Sequence, residues 1–208
     1  MSNQLHKVAD RRSDSDRIHV ISRTPLADAW AYLERVEFNY RRSNGQWQTQ
    51  RREIYHRGHG AAVLLYNLSN RTIVLTRQFR FPDWECGGDG FLIEVPAGII
   101  ESDDPAETVR RETEEETGFL IAEPSFLFKA YASPGSVTEQ LHYFCAAYEP
   151  QNRCGSGGGL VDEGEDIEVL EVDIDEAVRW VSDGSIIDAK SILLIQYAQL
   201  TLFKSAAS

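Results

Sequence analysis

The chain has 208 residues, 42% of them apolar, with a formal net charge of -12 and three cysteines. That length suits one domain with a substantial core, and no apolar run approaches the roughly eighteen residues that cross a bilayer, so a soluble globular protein without a membrane partner is expected. The acidic balance argues against a nucleic-acid backbone as the main partner; Cys86, Cys145 and Cys154, few and odd in number, suit a reducing cytoplasm better than a disulfide framework.

Residues 1–20 are polar and charged, rich in Ser, Asp and Arg without a period, and read as a mobile tail with no secretory signal. Residues 21–58 read as a hairpin subdomain. Within them Leu26 to Leu33 suit either a short helical turn or the run into a strand. Arg35 to Arg41 and Gln48 to Tyr55 alternate apolar and polar residues on either side of the turn Ser43-Asn44-Gly45. The second of these strands bears Arg51, Arg52 and Glu53, and arginines on a strand are more often solvated than functional. Residues 59–208 form the main domain. It opens with strands at Ala61 to Tyr66 and Thr72 to Phe79, and Arg77 and Arg80 flank the end of the second, within reach of a bound diphosphate. Pro82 to Gly90 is a Gly-rich loop. Phe91 to Val95 is a short strand delivering Pro96-Ala97-Gly98, where a small residue lets the backbone approach a ligand or metal closely.

The next element is the most informative. Asp104 suits an N-cap, Pro105 the first helical position, Glu107 a capping box and Gly118 a C-terminal stop, which predicts a helix over Pro105 to Thr117. Glu112, Glu115 and Glu116 are three and four residues apart, so they share one face, and acids in the last turn also oppose the helix dipole. A hard divalent cation relieves both conflicts, and oxygen-only ligands suit Mg2+, with Mn2+ as an alternative. Arg111, four residues before Glu115, is placed to orient it. Taken alone, a run of glutamates is more often a solvated face.

Ser125 to Ala132 and Gln140 to Tyr148 read as strands around Ser133-Pro134-Gly135. Gln151 to Asp166 reads as a loop with four glycines between Gly155 and Gly159 and then Asp162, Glu163, Glu165 and Asp166, either a plain linker or a lid that brings an acid over a substrate. Glu168 to Val172 is a strand, Asp175 to Ser182 an amphipathic helix, and Asp188 to Phe203 a leucine-rich closing helix. Strands around one central helix, with helices at the end, indicate a mixed α/β sandwich.

The order Gly98, Asp103, Arg111, Glu112, Glu115, Glu116, Gly118 resembles the signature of the Nudix hydrolases. It departs from that signature in having Asp103 for the usual Glu, a turn after Gly98 one residue shorter, and Thr113 in place of an aliphatic residue. From about Trp30 to the last helix the chain is similar to one branch, the GDP-mannose pyrophosphatases, which lie close to the ADP-ribose pyrophosphatases. The likeness is borne by RREIYHRGHGAAVLLYN, LTRQFR, PAGIIESDDP, SPGSVTE, the run Gly157 to Gly159, EDIEVLE and Lys190, and the shorter turn is itself a feature of that branch.

The resemblance implies an α/β/α sandwich with a mixed sheet, and a homodimer whose N-terminal hairpin crosses to help build the partner's nucleotide pocket. It implies substrate contacts at Trp30, Arg51, Arg52, Glu53, Arg80, Gly98, Ile99, Glu139 and Lys190. Metal positions follow at the carbonyl of Ala97 and at Glu112, Glu115, Glu116 and Glu165, with Glu165 as ligand or general base. In the loop, Gly164 stands where the family has an acid, and the choice between Glu163 and Glu165 stays open. The implied activity is Mg2+-dependent cleavage of a nucleoside diphosphate sugar, GDP-mannose to GMP and mannose 1-phosphate. The alternatives are ADP-ribose cleavage to AMP and ribose 5-phosphate, or a non-catalytic nucleotide sensor.

Overall fold

A computed structural model of the chain describes residues 16–101 and 104–204. The expected tail up to residue 15, and Asp103 of the signature, lie outside the described residues. The chain divides into two compact units: 16–59 together with Tyr131–Gln140, and Gly60–Ala130 together with 141–204.

The first unit is a three-stranded antiparallel sheet, β1 (Ile18–Asp28), β2 (Tyr32–Arg41) and β3 (Trp47–His56), in that order. The expected hairpin is β2 and β3: Gly45, at φ 83°, makes the turn, and Arg42 and Gln46 close it with a 2.8 Å backbone hydrogen bond. Strand β1 was not expected from Ile18. It is an edge strand, exposed at every residue, with register shifts at Val20/Ser22 and Pro25/Ala27 that erase any alternation, and an edge is where a strand tolerates proline. The turn segment at residues 131–140 belongs to this unit because its backbone bonds to the end of β3, Tyr55 N–H to Ser136 O at 2.8 Å and Thr138 N–H to Tyr55 O at 3.1 Å.

The second unit is built on a mixed sheet ordered β10 (Glu168–Asp173), β5 (Thr72–Phe79), β4 (Gly60–Asn67), β9 (Gln140–Ala147), β8 (Ser125–Tyr131). Short strands β6 (Phe91–Glu94) and β7 (Ala97–Ile99) add to β5 and β4. β4 runs parallel to β9 and antiparallel to β5 and β7. Its central residues are buried on both faces, which is why its sequence is a continuous apolar run. Ala61, Val63 and Leu65 face one layer with Val109 of helix α2 (Pro105–Thr117); Ala62 and Leu64 face the other with Ile174 and Ala177 of α3 (Ile174–Asp183) and Leu194 and Ile195 of α4 (Ala189–Tyr197). Two cores on either side of one sheet make the α/β/α sandwich.

Three local expectations need correction. The loop after β5 begins with a short helix, α1 (Phe81–Glu85), because Pro82 suits its first turn. The closing helix stops at Tyr197 and continues as a π-type turn through Leu202. The loop at residues 151–166 contains two short helical turns, Pro150–Asn152 and Val161–Glu163. Among the described residues no helix is long and apolar enough to cross a membrane.

Candidate active site

Helix α2 begins and ends where its punctuation predicts. Asp104 accepts the Ala106 N–H at 2.9 Å, Pro105 opens the first turn, and Gly118 closes the last at φ 74°. This fixes the register of the three glutamates against β7. The carboxylate of Glu112 lies against Gly98 so closely that a Cβ there would come within 1.8 Å of its Oε1. The glycine therefore admits the acid to the Ala97–Gly98 backbone, the place expected for a metal-binding carbonyl. Arg111 grips two of the acids, Glu112 Oε1 and Glu115 Oε2, each at 2.6 Å. Burial pushes the Glu112 carboxyl up, Arg111 draws it back, and Glu115 pushes it up again.

Glu116 is the acid with the greatest conflict. Its side chain is buried, its Oε2 has no hydrogen-bond partner, and its carboxyl is held well above the ordinary range by burial, then by the charges of Glu112 and Glu165, against the pull of Arg80. A buried carboxylate oxygen without a partner is costly unless a proton or a cation attends it. Thr113, behind it, is wholly buried and sends its hydroxyl to Val109 O at 2.6 Å, which explains how a polar residue fills an aliphatic position.

The glycine stretch, expected as a linker or a lid, packs here on the helix that carries the acids. It is stitched to the end of α2: Gly158 N–H bonds to Glu116 O at 2.9 Å, Gly159 N–H to Glu115 O at 3.0 Å, and Cys154 N–H to Gly118 O at 2.8 Å. These are carbonyls that a helix end leaves without intrahelical partners. The approach demands glycine, since a Cβ on Gly157 would sit 2.5 Å from Glu116 O and its φ is 67°. The same stretch holds Glu165 in place. Glu165 packs on Gly159 and accepts the Leu160 N–H at 2.8 Å, and its charge acts on Glu112 and Glu116. Glu163 is exposed on its short turn.

On the same unit Arg80 and Lys190 converge on Glu94, a buried residue that no motif or spacing singles out. Arg80 bonds to its Oε2 at 2.8 Å and Lys190 to its Oε1 at 2.6 Å. Arg77 is engaged elsewhere, 4.5 Å from the Phe91 ring centre and 3.5 Å from Glu168, so the structure does not bring it to this cluster. Ile99 stays in β7, paired with Gly60. Among the described residues no three His, Cys, Asp or Glu side chains are already gathered as a metal cage. The donors, all carboxylate or carbonyl oxygens around one orphaned buried oxygen, nonetheless fit a hard cation.

In the first unit, Trp30 is two-thirds exposed with the Arg57 guanidinium 5.5 Å from its ring centre, and Arg57 in turn lies 3.4 Å from the half-buried Glu139. Arg51 and Glu53 form cross-strand ion pairs with Glu37 at 3.0 Å and Arg35 at 2.8 Å. Arg52 projects from the opposite face of β3 and bonds to Gln50 at 2.9 Å.

Two family profiles cover this chain end to end of the likeness: the GDP-mannose pyrophosphatase NudK N-terminal domain over residues 17–55 and the NUDIX domain over residues 56–190. The chain belongs to the Nudix family. Its relatives place it in the GDP-mannose pyrophosphatase branch. It is 45% identical to the GDP-mannose pyrophosphatase of Pectobacterium atrosepticum over 185 residues, 88% of this chain and 95% of that one. The same-named proteins of Klebsiella pneumoniae and Escherichia coli O157:H7 are 43% and 40% identical over 92% and 90% of this chain, and 96% and 97% of their own. The Nudix profile takes in α2, the glycine stretch, Glu165 and Lys190 together, and the N-terminal profile coincides with the three-stranded sheet.

Proposed function

We propose that this chain hydrolyses the pyrophosphate bond of GDP-mannose, releasing GMP and mannose 1-phosphate, with Mg2+ as the working cation and Mn2+ as a substitute. The observation that carries the reading is the buried, unpartnered oxygen of Glu116 amid Glu112 and Glu165 on a Nudix helix. The names of the relatives support the choice of nucleotide sugar. The Ala97 carbonyl, Glu112, Glu116 and Glu165 would hold the cation, with Glu115 kept in line through Arg111. A bound divalent cation supplies charge neutralisation for the diphosphate and a water of lowered pKa.

The protein residues do the rest. Arg80 and Lys190 bind phosphate oxygens and take up charge that develops as the bond breaks. Glu165 accepts a proton from the attacking water or completes the ligand set. Trp30 stacks on the base, Arg51, Arg52, Glu53 and Glu139 position the nucleotide and sugar, and the backbone of Gly98 and Ile99 borders the phosphates. In this reading the first unit serves a homodimer, each hairpin reaching the partner's pocket, and three free thiols suit the reducing cytoplasm. The test is product identification: GDP-mannose with Mg2+ yields both products, chelation stops their release, and kcat/KM for GDP-mannose exceeds that for ADP-ribose. Absence of either product, or the reverse preference, overturns the reading.

A further inference from the structure

Lys190 stands in the first turn of α4, where the helix dipole disfavours a cation. Two acids hold it there. Its Nζ lies 2.6 Å from Glu94 Oε1 and 3.0 Å from Asp188 Oδ1, and Asp188 is itself the N-cap, accepting from Ser191 N–H at 2.9 Å. Ser191, wholly buried, donates its hydroxyl to Asp188 and accepts the Val95 N–H at 2.8 Å, so the residue after Glu94 is latched to the helix that bears Lys190. On the other side, β5 and β6 pair in register from Thr76↔Glu94 to Phe79↔Phe91, which sets Arg80 at the end of β5 against Glu94. Glu94 Oε2 accepts from the Arg80 side chain at 2.8 Å.

One buried carboxylate thus spans two cations that come from different elements and are 110 positions apart in sequence. Burying a glutamate is unfavourable unless each oxygen is paired, and both oxygens of Glu94 are. The Arg80 side chain stays 40% exposed, free on the side away from Glu94 to meet an anion. Glu94 also sits near enough to Glu116 to oppose its ionisation, so it belongs to the same field as the glutamate face.

We propose that Glu94 is a positioning residue that holds Arg80 and Lys190 as one preformed phosphate clamp. It touches no reacting atom. It fixes the two donors on one carboxylate, so that substrate binding does not have to order two long side chains. This rests on the reading of Arg80 and Lys190 as phosphate contacts.

The test is a mutant cycle with Glu94→Gln, Arg80→Met and Lys190→Met, read on two quantities. The first is KM and kcat for GDP-mannose with Mg2+; the second is calorimetric Kd for inorganic pyrophosphate in metal-free buffer. Glu94→Gln is expected to raise KM and the pyrophosphate Kd by about tenfold or more, with a smaller change in kcat, to have a smaller effect once Arg80 is Met, and to have almost none once Arg80 and Lys190 are both Met. Glu94→Asp, which keeps the charge but shortens the reach, is expected to fall between wild type and Glu94→Gln, and it takes the place of Glu94→Gln in the cycle if that variant does not fold. Unchanged KM and Kd in a folded variant overturn the proposal. So does an effect of Glu94→Gln that is just as large in the Arg80→Met, Lys190→Met background, because Glu94 would then act on the fold and not through the two cations. If wild type binds pyrophosphate and Glu94→Gln does not, while GDP-mannose is left intact, the clamp stands and the substrate assignment falls.

Discussion

Glu116 carries its unpartnered oxygen inside the protein, and in cation-free protein a proton is the simplest relief. Its carboxyl is raised well above the ordinary glutamate range, first by burial and then by Glu112 and Glu165, so the folded state binds more protons than the unfolded state between the two pKa values. Stability of the cation-free protein should therefore fall as pH rises through that window, and the thermal midpoint measured in a chelator should be higher near about pH 5 than near about pH 8. Mg2+ should raise the midpoint most at the higher pH, since only the charged acid binds it. Glu116→Gln should flatten both responses and lower turnover by about a hundredfold or more. Thr113 makes a milder case. Its hydroxyl bonds within its own helix to Val109 O, so Thr113→Val should leave the unfolding free energy from urea titration unchanged or raise it by no more than about 1 kcal/mol.

The central element is α2 together with the glycine stretch that caps it. Gly157→Ala sets a Cβ against the Glu116 carbonyl at a positive φ, and should destabilise the fold by about 2 kcal/mol and weaken Mg2+ binding. Gly164→Ala, at φ 77° with open space around it, should show the backbone penalty alone, about 1 kcal/mol, when both are compared by thermal melting. These elements also show how far the sequence was legible. The bounds of α2 were readable because Asp104, Pro105 and Gly118 act on their own neighbours, and the glutamate face because helical spacing places it. The docking of the glycine stretch on α2 was not legible because its partners are carbonyls some forty positions earlier, which no local pattern announces. β1 escaped notice because its exposed residues and register shifts erase any alternation, and Glu94 because a lone acid at the end of an apolar strand has no spacing to reveal it.

At the scale of the molecule, the sheet of the second unit has a core on each face, while among the described residues of the first unit Ile18, Ile21 and Leu26 of the edge strand are exposed. If that strand serves the proposed homodimer, light scattering should return twice the mass of one chain. Ile21→Asp should shift the protein toward the monomer and lower kcat/KM, because Trp30 and the β3 arginines would no longer reach a second pocket. The loop at Tyr131–Gln140 adds a constraint on engineering. Its backbone is hydrogen-bonded to Tyr55, yet it lies deep inside the span of the catalytic profile. A gene trimmed at the border between the two profiles would thus strip that loop of both its backbone bonds to Tyr55, so the catalytic half cannot be harvested intact as a free-standing module by cutting where the sequence families meet.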